Sequence, residues 1–241
     1  MKKFWGICNN DNYNVGCNGA SVYVYDKNGK ELKVFKDAPY TYRAKFKPNN
    51  LNNILVAKST AGFLLIYDLD ELKLLKKIKT SQIGSQDDGF VFSKDGLYLY
   101  NIERPIYSTK TRLTIYNMND YSIIRTLFEN DEKIVLKDLE FDNNNICYLL
   151  GFMRNSEGVF DYGFIAKLND NSLENIRVLD KDKYEYLIAY KRWEDCGFSD
   201  KELECSSKLK KLEKIEKVTI IDTYNSLGNK QKSIFSKLFK K

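Results

Sequence analysis

At 241 residues, with 43% hydrophobic and 14% aromatic side chains, the chain is long enough to bury one large core and is not an intrinsically disordered polypeptide; no run approaches the ~20 apolar residues needed to cross a bilayer. Its net charge of +6 is concentrated in residues 191–241, which hold 13 Lys/Arg against 8 Asp/Glu, so the body is nearly neutral and lacks the electrostatic footprint of a phosphate-backbone binder. The absence of His removes Ser-His-Asp and Cys-His catalysis and His-ligated metal sites.

Taken in order, the predicted elements are almost all short strands. The start, Met1 to Cys8, is apolar for too few residues to be an export signal before Asn9-Asn10-Asp11 stops it. A compressed first unit follows: Phe4 to Cys8, Tyr13 to Cys17, Val22 to Tyr25 and Leu32 to Phe35. The second unit is the clearest. Tyr42 to Phe46 alternates, Pro48-Asn49-Asn50 is turn chemistry, Ile54 to Ala57 is a buried run, Phe63 to Asp68 is a third strand, and Leu74 to Ile78 is a Lys-bearing outer strand. The third unit runs through Phe90-Val91-Phe92, Leu97 to Ile102, Leu113 to Tyr116 and Ile123 to Phe128. The fourth runs through Leu139 to Phe141, Ile146 to Leu150, Phe164 to Leu168 and Ile176 to Leu179. A degraded fifth is read at Tyr184 to Tyr190 and Val218 to Ile221, with a long insertion between.

Two landmarks keep time through these units. A Phe closes the first strand at Phe46, Phe92 and Phe141, and an aromatic-acid or aromatic-amide step closes the third at Tyr25-Asp26, Tyr67-Asp68 and Tyr116-Asn117. A repeat of 40–50 residues built from four strands predicts an all-β fold, a β-propeller of about five four-stranded blades in a single domain over 1–241. The competing arrangement for such spacing is a β-sandwich or irregular barrel. The unit resembles the WD40-type blade: the family's Phe-Ser-Pro-Asp-Gly turn has its counterpart in Phe92-Ser93-Lys94-Asp95-Gly96 and, more loosely, Phe46-Lys47-Pro48, and its terminal Trp-Asp step in the three Tyr-Asp/Asn steps. The likeness spans about residues 4–180, without the family's Gly-His signature or its Trp.

Two helical patterns stand out beyond residue 190. Ser199 and Glu202 make a capping box, followed by Leu209, Leu212 and Ile215 at helical spacing; this predicts a helical insertion over 191–217 in the last blade. Residues 229–241 place Ile234, Phe235, Leu238 and Phe239 on one face among Lys230, Lys232, Lys237, Lys240 and Lys241, a basic segment suited either to docking on the last blade or to an anionic membrane or nucleic acid.

No P-loop, dinucleotide fingerprint, zinc-protease or nucleophile-elbow motif is present. Asn10 to Gly16 has oxygens out of order for a calcium loop and reads as a turn. The first strand of each unit lines the propeller axis, so Asp87-Asp88, Asp138 and Glu140 are the candidates for a carboxylate-based hydrolase, with Asp88 level with Tyr42 and Lys137. The loops after the second strands, 104–110 and 153–160, are long and carry Arg and aromatic side chains, types enriched in binding hot spots. The favoured expectation is a non-enzymatic scaffold that binds a protein or peptide through Tyr40, Arg104, Tyr107, Arg154, Phe160 and Tyr184, with no cofactor and no metal. The five widely spaced Cys, without a Cys-x-x-Cys pair, fit the reduced thiols of a cytoplasmic protein.

Overall fold

The computed structural model describes residues 4–48, 53–80, 88–104, 110–196 and 219–228. Their strands form four antiparallel sheets, each a four-stranded meander taken in chain order. Blade 1 is β1 (Gly6–Asn9), β2 (Tyr13–Cys17), β3 (Val22–Asp26) and β4 (Glu31–Phe35). Blade 2 is β5 (Thr41–Phe46), β6 (Ile54–Ser59), β7 (Phe63–Asp68) and β8 (Lys73–Lys79). Blade 3 is β9 (Phe90–Phe92), β10 (Tyr98–Glu103), β11 (Arg112–Asn117) and β12 (Ile123–Leu127). Blade 4 is β13 (Ile134–Phe141), β14 (Cys147–Arg154), β15 (Phe160–Asn169) and β16 (Ser172–Leu179). Two helices follow, α1 (Lys181–Cys196) and α2 (220–228).

The period-2 alternation of each strand sends its side chains to two different neighbours. In blade 2, Leu55, Ala57, Leu65 and Tyr67 pack with Val15, Cys17, Val22, Val24 and Phe35 of blade 1, while the interleaved Val56, Leu64 and Ile66 pack with Phe90, Phe92, Leu99 and Tyr116 of blade 3. Blade 3 turns Ile102, Leu113 and Ile115 onto Leu139, Phe141, Leu149 and Phe164 of blade 4. Sheets that cover one another face to face in sequence, with β1 against β5 and β9 against β13 at the axis, make a β-propeller. Both sequence landmarks fall where a blade needs them. Phe46, Phe92 and Phe141 end the first strands, and the Tyr-Asp/Asn steps end the third. There the Asp26, Asp68 and Asn117 side chains accept backbone N–H groups of the following turn, the Asx geometry that makes these residues turn formers.

Among the described residues the blades number four, not five. The residues expected to begin a fifth blade, Tyr184 to Tyr190, lie in α1, and 220–221 begin α2. Local chemistry decides this. The Lys183 N–H donates to Asp180 Oδ1 at 2.8 Å, and the Asp222 N–H donates to Thr219 Oγ1 at 2.9 Å, so each helix is started by a side-chain cap. Tyr184 and Leu187 then recur at helical spacing and, with Ile220 and Tyr224 of α2, cover Tyr148, Leu150, Ile165 and Leu179 on the outer face of blade 4. α1 reaches β15 on one side and β1 on the other, so helices occupy the place of a fifth sheet. Of the expected insertion 191–217, residues 191–196 finish α1; the rest of it, and the basic segment 229–241, lie outside the described residues.

At the axis neighbouring inner strands approach closely. The position three residues before the landmark Phe is Arg43 in blade 2, Gly89 in blade 3 and Asp138 in blade 4. A Cβ on Gly89 would lie 2.1 Å from Asp138 Oδ1 and 3.0 Å from its Cα; only glycine leaves room for Asp138 to reach Arg43, 3.5 Å away. Gly6 of β1 fits equally tightly, with Tyr42 O at 2.0 Å from the Cβ site. We predict that Gly89→Ala costs about 1–3 kcal/mol, the usual penalty for overpacking a closed interior, seen in calorimetry as a Tm lowered by at least ~2 °C. An unchanged Tm would show that the axis has slack.

Candidate binding site at the propeller axis

In a chain-order meander the turns between second and third strands and the links between blades share one end of the sheets. The site lies at that end, where strand termini deliver charged side chains onto the axis. Asp88 precedes β9, Arg104 follows β10, Lys137 and Asp138 are on β13, and Arg43 and Lys58 are on β5 and β6. Asp88 is fully buried and receives Arg104 Nε at 2.7 Å and Nη2 at 3.2 Å, with Lys137 Nζ at 3.7 Å. Burial opposes its charge, but the Arg104 bonds and the neighbouring Lys137 and Lys58 outweigh that and hold its carboxyl below the usual range. Asp138 is likewise buried, and Arg43, followed by Lys191 and Lys45, keeps it ionised against the desolvation penalty. Lys58 is the oddest member: a lysine at the end of an apolar run, buried, with its ammonium donating to Ile102 O at 2.6 Å and Asp88 O at 2.9 Å. It bolts blade 2 to blade 3. Desolvation brings its pKa down to about 8. Beside it, Glu103 accepts from Asn101 Nδ2 (2.9 Å), Arg112 Nε (3.0 Å) and Tyr116 Oη (2.6 Å).

Three of the candidate binding residues come together. Phe160 packs on Phe152 and on Tyr184, with ring centroids 5.3 and 5.4 Å apart; Phe152 carries the Arg154 guanidinium 6.0 Å above its ring. Arg154 Nη1 also donates to Glu132 O, and its charge feels burial first and the nearby Arg104 second, both disfavouring protonation. Arg104 itself is turned inward to Asp88. Tyr184, expected to offer its ring to a partner, is instead buried against Gly163, Phe152 and Phe160, because it belongs to a helix that covers blade 4. Tyr40 is 57% exposed at a positive φ of 57°, between β4 and β5, its carbonyl accepting the Thr60 N–H of the neighbouring turn. Tyr107 and Asp87 lie outside the described residues. Sequence reasoning placed Asp88 and Lys137 level by counting back from Phe92 and Phe141, and they meet; it missed Lys58, Arg43 and Gly89.

Asp88, Asp138 and Glu140, the described carboxylates among the hydrolase candidates, are each engaged within the fold. A general acid needs a carboxyl kept protonated near neutral pH, whereas Asp88 and Asp138 are both held charged. Glu140 accepts the Ile220 N–H at 3.1 Å at the start of α2. Among the described residues no group of three or more Cys, Asp or Glu is placed to hold a metal ion, and none of their helices is long and apolar enough to cross a membrane.

No family model and no curated protein matches the chain. Solved structures do. The chain is similar to a hydrazine synthase of Kuenenia stuttgartiensis, with a TM-score of 0.57 and 16% identity over 70% of this chain and 51% of that one. It is also similar to the dihydro-heme d1 dehydrogenase NirN in complex with DHE, with a TM-score of 0.56 and 14% identity over 70% of this chain and 36% of that one. The chain thus spans about half and about a third of the lengths of these β-propeller proteins. At such identities the likeness carries the fold, and the WD40 resemblance stays one of blade pattern.

Lys58 gives this network a measurable pH signature. Its folded pKa of about 8 lies below its unfolded value of about 10.4. Below pH 8 both states are charged and the full cost of burial is present; between 8 and 10.4 the unfolded chain binds more protons and stability rises. In urea titrations the stability of the native protein relative to Lys58→Met should therefore grow by about 1 kcal/mol per pH unit between pH 8.5 and 10. A flat or falling difference would mean that the carbonyl cage fully offsets desolvation.

Proposed function

We propose that this chain is a binding module that receives a protein or peptide on the face carrying the links between blades. The observation that carries the reading is the grouping of Arg104, Arg154, Phe152 and Phe160 beside the exposed turn residue Val159 (53% exposed). Arginine and aromatic side chains held rigidly by their own packing provide contact area at little entropic cost. Tyr40 adds an exposed ring on the same face. Ionised, cation-locked carboxylates at the axis favour binding over acid–base chemistry. Both similar solved structures are named as enzymes; this chain covers 51% of one and 36% of the other at 16% and 14% identity, so their likeness carries the fold alone.

A photo-crosslinking side chain placed at Val159 should capture a saturable partner, whereas one at Asn144, in the exposed first turn of blade 4 on the opposite face, should not. Equal labelling from both positions, or none from a folded protein, would defeat the proposal.

A further inference from the structure

We propose that Lys137, with Arg104 and Lys58 beside it, forms a preorganised receptor for one carboxylate presented by an acidic peptide. The proposal rests on the reading of this face as a binding surface and names the chemistry it selects. Three cations converge on Asp88. Arg104 takes its carboxylate in two hydrogen bonds of 2.7 and 3.2 Å, and Lys58 takes its backbone carbonyl at 2.9 Å. Lys137 stands 3.7 Å from Oδ1, longer than an ordinary hydrogen bond. Among the described residues Asp88 is the carboxylate these three cations share, with Glu103 and Asp138 also acting on Lys58, and burial, then Arg104, push the Lys137 ammonium towards losing its proton although Asp88 opposes this. The cost of keeping such a charge out of water is recovered when an opposite charge arrives.

Part of the site reaches solvent. The Lys137 and Arg104 side chains keep 17% and 19% of their surface in solvent, while Asp88 keeps none. A ligand therefore meets cations first. Arg104 is already paired with Asp88 and Lys58 is committed to carbonyls, so the charge a ligand meets is the Lys137 ammonium, which one carboxylate matches; a phosphate dianion meets stronger repulsion from Asp88 and from Asp138, the next residue along β13. The Arg154 guanidinium, close enough to feel the charge of Arg104, extends the basic lip toward Phe152 and Phe160, where the rest of a peptide has apolar surface to lie on.

The test is calorimetric titration of the full chain, at fixed ionic strength, with acetyl-Glu-Glu-Glu-amide, with its Gln counterpart and with free glutarate. Saturable binding of the Glu peptide is expected, with at least tenfold weaker binding of the Gln peptide and of glutarate. Lys137→Met should weaken the Glu peptide at least tenfold without lowering Tm, and Lys76→Met, an exposed lysine on β8, should leave it unchanged; Lys137→Gln serves if the Met variant misfolds. Equal affinity in wild type and the Lys137 variant, equal binding of Glu and Gln peptides, or no binding at all overturns the receptor. Glutarate binding as tightly as the peptide overturns its peptide source. If crosslinking from Val159 persists in Lys137→Met at full strength, the binding face stands and only the carboxylate receptor falls.

Discussion

Blades 2, 3 and 4 each have two apolar faces, and each face must be shielded from water by something. Leu64 and Ile66 on one side of β7, with Leu65 and Tyr67 on the other, are all fully buried, which requires a neighbour on both sides of blade 2. That requirement generates the radial stack, because a sheet covered on one face alone leaves its other face wet. The requirement does not stop at blade 4, whose outer side carries Tyr148, Leu150 and Ile165. The chain meets it with helices. Two capped helices offering Tyr184, Leu187, Ile220 and Tyr224 serve as well as a sheet, since burial is indifferent to the secondary structure that provides it.

The axis obeys a different physics. Close approach of β1, β5, β9 and β13 is bought with glycine at Gly6 and Gly89, and the charges brought in with the strand ends are then locked pairwise: Arg43 to Asp138, Arg104 to Asp88, Arg112 to Glu103. Buried ion pairs contribute little net stability but are costly to break; two of these brace blade 3 internally, and Arg43 with Asp138 ties blade 2 to blade 4. Lys58 ties blade 2 to blade 3 through carbonyls. Among the described residues Arg104, Lys58 and Lys137 share the Asp88 side, at the end of the propeller that carries the links between blades.

The repeat was legible because its landmarks have local causes. Phe46, Phe92 and Phe141 end strands that turn back at once, and Asp26, Asp68 and Asn117 are the side chains that close the next turn; both recur wherever a blade recurs. The fifth blade was misread because Tyr184 to Tyr190 is rich in residues that suit strands and helices alike. The deciding signals were Asp180 and Thr219, caps that lie just before each segment. Much of the site was not legible. Lys58 reads as the polar end of a buried strand until the carbonyls of Asp88 and Ile102 from another blade are in place, and Gly89 reads as a turn residue until Asp138 fills the space over it. Both roles are set by contacts between blades, which a single unit does not encode.

The account therefore turns on whether α1 and α2 substitute for a sheet. Chain ending at Asp180 would leave the face of Tyr148, Leu150 and Ile165 uncovered. Hydrogen exchange on the full chain and on the 1–180 fragment tests this directly. The prediction is that the fragment loses protection first and most strongly in β14 and β15, with exposed apolar surface that binds a hydrophobic dye. Unchanged protection in β14 and β15 of a fragment as stable as the full chain would contradict it.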